Sequence, residues 1–191
     1  MKHLILSTTL LILLCSCGHS QNHQSGHGHS GHSQPIKTSN FKSEKITKSA
    51  TITLNGNIDK VFPLFNPIDE QKWAPMFKPH FIYPSDNTIQ EGMSFKTAGH
   101  GGETEYLWII TKYTTTTHLI QYLVSTANRY WTITVDCKQA DKRASQTLAK
   151  ITYTFYALNK KGKAINKKAI HKMYAKNLKD WEKAINTYLK K

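Results

Sequence analysis

Residues 164–190 read AINKKAIHKMYAKNLKDWEKAINTYLK. Ile170, Tyr174, Leu178, Trp181, Ile185 and Leu189 recur there at steps of three and four, which places them on one stripe of a helix. Lys168, Lys172, Lys176, Lys179 and Lys183 fall roughly opposite, giving the helix an apolar face and a basic one. No Pro or Gly interrupts the run, so the spacing predicts one continuous terminal helix. A lone two-faced helix of this length is marginal in water, and its apolar side needs a cover. The strand-rich chain before it is the only candidate.

That chain begins its pattern at Lys45. Ile46, Lys48, Ala50, Ile52 and Leu54 alternate with Thr47, Ser49, Thr51 and Thr53, as in a strand with one polar face. Asn55-Gly56 turns the chain, and Asn57 is placed to cap a short helix from Ile58 whose Val61, Phe62 and Phe65 face inward. Pro63 and Pro67 keep it short, and a second short helix follows from Ile68 to Trp73. Strand candidates then occupy residues 79–83, 93–97, 104–111, 118–126, 130–138 and 148–158, rich in Thr, Ile, Tyr, Phe and Trp. The breaks between them carry turn chemistry: Pro84-Ser85-Asp86-Asn87, Gly99-His100-Gly101-Gly102 and Ala140-Asp141-Lys142. No internal repeat and no second domain is visible.

The order of strand, two short helices, six antiparallel strands and long helix resembles the helix-grip fold of the START-like (SRPBCC) superfamily, which includes pollen-allergen relatives and polyketide cyclases. The local carriers are Ala50-Thr51-Ile52, the stretch Asn57 to Phe65, Lys72-Trp73-Ala74-Pro75, and Gly102 to Ile110. The expected fold class is therefore α+β, with a seven-stranded curved antiparallel sheet and a long C-terminal helix over residues 45–191.

The resemblance further implies a cavity between sheet and terminal helix that holds an apolar ligand. The residues themselves support an aromatic interior. Trp131, Ile133, Val135 and Cys137 share one strand face, as do Ile151, Tyr153 and Phe155; Tyr106, Trp108 and Ile110; and Met93 and Phe95. Tyr174 and Trp181 come from the helix, Phe62 and Trp73 from the short helices, and Tyr122 from the strand that His118 heads. Arg129 opens the strand of Trp131 and is expected at a cavity mouth. His100 reads as an exposed turn residue, and Glu103 and Glu105, on one strand face, as solvated carboxylates. A filled core without a usable cavity is the alternative reading of the same rings.

The amino terminus has a separate organisation. A short basic start is followed by the uncharged run Leu4–Leu14, too short to span a bilayer and suited to a signal-peptide core. Leu14-Cys15-Ser16-Cys17 resembles the bacterial lipobox, which implies a signal peptide over residues 1–16 and a lipid-carrying Cys17. An ordinary cleaved signal peptide is the alternative. Several acyl chains at one residue anchor stably, since each buried methylene contributes about 0.8 kcal/mol. The expected location is the cell envelope, on the periplasmic side of the outer membrane in a Gram-negative source, because Gly18 is not the Asp of inner-membrane retention.

Residues 17–44 form a tether too polar to order itself. As a flexible coil, a segment of this length spans roughly 28 Å. It carries His19, His23, His27, His29 and His32, candidate ligands for Zn, Cu or Ni. Their spacing is irregular and nothing fixes a geometry, so a polar spacer is the competing reading. The chain holds three Cys; with Cys15 removed and Cys17 lipidated, Cys137 has no partner.

The formal charge is +14, and eleven Lys follow Leu158 against Asp180 and Glu182. Such a basic face suits anionic lipid headgroups or plain solvation; nucleic acid is set aside, because the stripe has no interleaved aromatics and export removes that partner. No H-E-x-x-H, no G-x-S-x-G, no Cys with a placed His and no phosphate loop occurs. No catalytic residue is therefore assigned, and enzyme activity has no positive support. The leading expectation is a lipid-anchored domain that binds or carries a small hydrophobic ligand. A metal-handling lipoprotein and a cyclase-like enzyme are the alternatives.

Overall fold

The computed structural model describes residues 40–140 and 145–191. Cys17, the five tether histidines and most of the turn expected after Ala140 lie outside the described residues. The first strand, β1, covers Lys45–Leu54. Asn57 then accepts a hydrogen bond from the Asp59 N–H at 2.8 Å and caps α1, Ile58–Val61. The first short helix runs on as a 3-10 turn, Phe62–Phe65, and the second, expected over residues 68–73, is a 3-10 turn over Asp69–Lys72. Asn66 starts the latter by accepting from the N–H groups of Ile68 and Asp69 at 2.9 and 2.8 Å.

The meander follows: β2 His80–Tyr83, β3 Ser94–Ala98, β4 Glu105–Thr114, β5 Leu119–Ser125, β6 Arg129–Gln139 and β7 Thr147–Ala157. All seven strands form one antiparallel sheet in the order β1-β7-β6-β5-β4-β3-β2. A register shift in β4 between Ile110 and Lys112 adds a bulge, which sharpens the local bend of the sheet. Along β6 and β7 alternate residues are buried, from Arg129 to Cys137 and from Thr147 to Ala157. The core is this inner face together with Ile52, Leu54, Val61 and Ile185, all fully buried. Cys137 is buried within it and unpaired, and burial pushes its thiol up to about 12, which removes it from thiolate chemistry at neutral pH.

The terminal helix differs from expectation. It is two helices, α2 Lys160–Tyr174 and α3 Lys179–Leu189, separated by a turn in which Asn177 (φ 47°) and Leu178 (φ 59°) are left-handed. Packing explains the break. Tyr174 is buried at the end of α2, its hydroxyl donating to the Lys48 carbonyl at 2.9 Å, while Leu178 is buried just beyond. From there α3 lies along β1, where Glu182 accepts from the Thr53 N–H at 2.9 Å and Asn186 donates to the Thr53 carbonyl at 2.9 Å. A straight rod could not follow β7 and then the end of β1 on a curved sheet. Asn tolerates the left-handed region well; Leu does so at a cost that its burial offsets.

The start of α2 is pinned closely to the sheet. Asn159 caps it by accepting from the Gly162 N–H at 2.9 Å, and a Cβ at Gly162 would collide with the Asn128 carbonyl in the β5–β6 turn. Glycine is required there by close approach. It brings α2 down beside Arg129.

Candidate functional site

Three parts of the fold enclose a cleft of about 990 Å³: the α2–α3 corner, the β3–β4 turn at His100 and Gly101, and Arg129 at the start of β6. Its floor is apolar, with Ile165, Ala169, Met173, Leu178 and Trp181. Its rim is basic, with Lys161, Lys168, Lys172 and Lys176. The break after Tyr174 is what creates the corner, since α3 departs at an angle and exposes the flank of Leu178 and Trp181 to the cleft. The β3–β4 turn is held by Tyr106, whose hydroxyl donates to the His100 carbonyl at 3.0 Å and accepts from the His100 N–H at 3.2 Å. His100 itself is exposed, as the sequence suggested.

Behind the cleft lies a buried ion pair. Arg129 donates from Nε and Nη2 to Glu103 Oε2 at 2.9 and 2.7 Å, and from Nη1 to Asn166 Oδ1 at 3.3 Å. Thr126 donates to the other Glu103 oxygen at 2.6 Å. The guanidinium also sits 4.3 Å from the centroid of the Trp131 ring and 5.7 Å from that of Phe155. Side-chain exposure is 4% for Arg129 and 1% for Glu103. The expectation of a solvated Glu103 is thereby corrected. Gly101 and Gly102 take φ of 69° and 93°, which breaks the strand alternation before β4 begins at Glu105 and turns Glu103 inward. Glu105 stays exposed and pairs with Lys96 at 2.7 Å. Asn166 was not anticipated; its Nδ2 is buried without a hydrogen-bond partner among the described residues.

The structure places the other anticipated residues as follows. Arg129 and Trp181 line the cleft. Trp131 meets Tyr106 edge-on at 5.2 Å and Phe155 at 5.8 Å, and Tyr153 continues the chain of rings from Phe155 to Tyr174. Phe95 stacks on Trp108 at 5.5 Å, and Tyr122 stands edge-on to both. Trp73 packs on Trp181 at 5.5 Å and so joins the Asp69–Lys72 turn to the cleft floor. Phe62 packs away from the cleft against Tyr113 and His118; the latter faces Asp59 at 3.2 Å. Most polar tips of these rings are satisfied: Tyr122 donates to Phe65 O at 2.7 Å, Trp73 to Leu64 O at 2.7 Å and Trp108 to Thr97 Oγ1 at 3.0 Å.

One further group went unnoticed in the sequence. Glu70, in the Asp69–Lys72 turn, makes no side-chain hydrogen bond or ion pair among the described residues. Burial pushes its carboxyl up to about 8, so it holds a proton at neutral pH. Burial also drives the Tyr122 and Tyr153 phenols well up, and the nearby Glu70 carboxyl adds to both shifts. A half-buried acid that keeps its proton at neutral pH thus lies near two buried tyrosines. Nothing in the sequence around Glu70 distinguishes it from Asp69, which is paired with Asn66 and Lys72. Among the described residues no three His, Cys, Asp or Glu side chains gather as a metal site.

No family model matches the sequence, and no curated protein matches it. Solved structures do match in shape. Norcoclaurine synthase from Thalictrum flavum aligns over 79% of this chain and 97% of its own at TM-score 0.59 and 13% identity. Ara h 8.0201 aligns over 76% and 97% at TM-score 0.54 and 18% identity. The Zhui aromatase/cyclase from Streptomyces sp. R1128 aligns over 75% and 93% at TM-score 0.54 and 12% identity. At these identities the likeness is one of architecture. With its seven-stranded antiparallel sheet gripping the terminal helices, the chain has the helix-grip fold shared by these proteins.

Proposed function

We propose that this chain is an exported, lipid-anchored helix-grip domain that binds or carries a small hydrophobic ligand in the cleft between the sheet and the α2–α3 corner. The observation that carries the reading is the cleft itself. A concave space of about 990 Å³ with an apolar floor and a few charged groups at its edge has the form of a small-molecule site. Export and anchoring rest on residues 1–17 of the sequence. The basic rim of the cleft has the charge that suits anionic lipid headgroups.

Filling the cleft tests the reading. Ala169→Trp is expected to reduce binding of an environment-sensitive apolar fluorophore by the full chain at least tenfold. The exposed, cleft-lining Ala164→Trp is expected to do the same without touching the packed interior. Undiminished binding in both variants, with unchanged melting, would remove the cleft from the account.

Two other readings keep one observation each. A cyclase-like enzyme needs an acid or base inside the fold, and the protonated Glu70 facing Tyr122 and Tyr153 is of that kind. Metal handling rests on the histidines between His19 and His32. Deletion of residues 18–39 is expected to abolish Ni or Zn uptake by calorimetry; equal uptake with and without the segment would end that proposal.

A further inference from the structure

We infer that the cleft selects an amphiphile with an acidic head, its chain on Met173 and Trp181 and its head beside the stripe of ammonium groups of Lys161, Lys168 and Lys172. The inference rests on the ligand-binding reading above and names the ligand class for the same site. Lys161, Lys168 and Lys172 lie at i, i+7 and i+11 on α2, within one narrow stripe that runs about 16 Å along the helix. All three border the cleft.

The charge balance around them is uneven. Lys163 is paired with Glu44 at 2.8 Å, Lys176 with Asp180 at 3.7 Å and Lys179 with Glu182 at 2.7 Å. Lys161, Lys168 and Lys172 have no carboxylate partner among the described residues. Asp180, the one acid bordering the cleft, is the one that Lys176 already neutralises. Arg129, the remaining strong cation at the cleft, is held by Glu103 and does not add to the excess. A surplus of positive charge therefore sits along one edge of an apolar trough. Lysine stems extend the apolar wall while their ammonium groups stay at the water boundary. A purely apolar ligand would leave that edge unused, and a hydrophilic anion would leave Met173 and Trp181 uncovered. An acid on an apolar chain satisfies both sides.

The test compares dodecanoic acid with dodecanol at pH 8 and low salt, against the full chain in octyl glucoside kept below its critical micelle concentration, by quenching of tryptophan fluorescence. The wild type is expected to bind the acid about tenfold more tightly than the alcohol, the size set by a few exposed charge contacts. In the triple variant Lys161→Gln/Lys168→Gln/Lys172→Gln that preference should fall to about twofold or less, with affinity for the alcohol unchanged. Raised salt should likewise erode the preference in the wild type. Equal binding of acid and alcohol by the wild type would overturn the inference and leave the apolar-ligand reading intact. A preference that survives in the triple variant would overturn the role of these lysines. Binding of neither ligand by the wild type would remove both readings.

Discussion

Arg129→Met is expected to destabilise the domain by about 3–5 kcal/mol at neutral pH, because it strands the Glu103 carboxylate in a site with 1% side-chain exposure. Thr126 would remain as a hydroxyl donor to one oxygen, and nothing would replace the pair of guanidinium bonds on the other. The contact of the guanidinium with the Trp131 ring is lost as well, although the methionine restores part of the packing. One control separates charge from shape. The double variant Arg129→Met/Glu103→Leu should recover most of the loss, since an apolar pair avoids the buried charge. A deficit below about 1 kcal/mol in chemical denaturation would mean that the pair is solvated and that β6 is not fixed to the β3–β4 turn in this way.

Glu70→Gln should do the opposite and stabilise the domain. The carboxyl titrates near 4.5 in ordinary surroundings and at about 8 in the fold. Folding therefore requires a proton at pH values between the two. The stability penalty is absent below the lower value, grows as pH rises through the window, and is complete above the upper one. At pH 7 the interval above 4.5 corresponds to about 3 kcal/mol, and because the residue is only partly buried by surface area about 2 kcal/mol is the better expectation. Gln carries no such titration. The difference between variant and wild type should be near zero at pH 4 and about 2 kcal/mol in favour of the variant at pH 7. Equal differences at the two pH values would place the Glu70 carboxyl in water, away from Tyr122 and Tyr153.

The parts of this fold that were legible in the sequence are those set by local periodicity. Alternation marked the inner faces of β6 and β7 residue by residue, and Asn57 announced α1 through its side-chain oxygen. The apolar stripe from Ile170 to Leu189 announced a terminal helical segment. It did not announce the break, because the stripe runs through Ala175–Leu178 without a Gly or Pro. The turn there is imposed by the curvature of the sheet, which is a tertiary fact. The same limit applies to the site. The alternation that marked Tyr106 and Trp108 as inward assigns Glu103 to water, and only the left-handed Gly101 and Gly102 reverse that assignment. The lysines of α2 read as a solvated face; what makes Lys161, Lys168 and Lys172 part of a site is the trough beside them, built from a distant turn and from α3. Glu70 differs from its neighbours only in where the 3-10 turn points it.

The central claim is that the angle between α2 and α3 opens an occupied cleft. Native mass spectrometry of the full chain, purified from the cells that make it and released gently from detergent, tests it most directly. The expected spectrum shows one small-molecule adduct per chain in the wild type and bare protein in Ala164→Trp and Ala169→Trp. Bare protein in the wild type, or the same adduct surviving in both cleft-filled variants, would contradict the account.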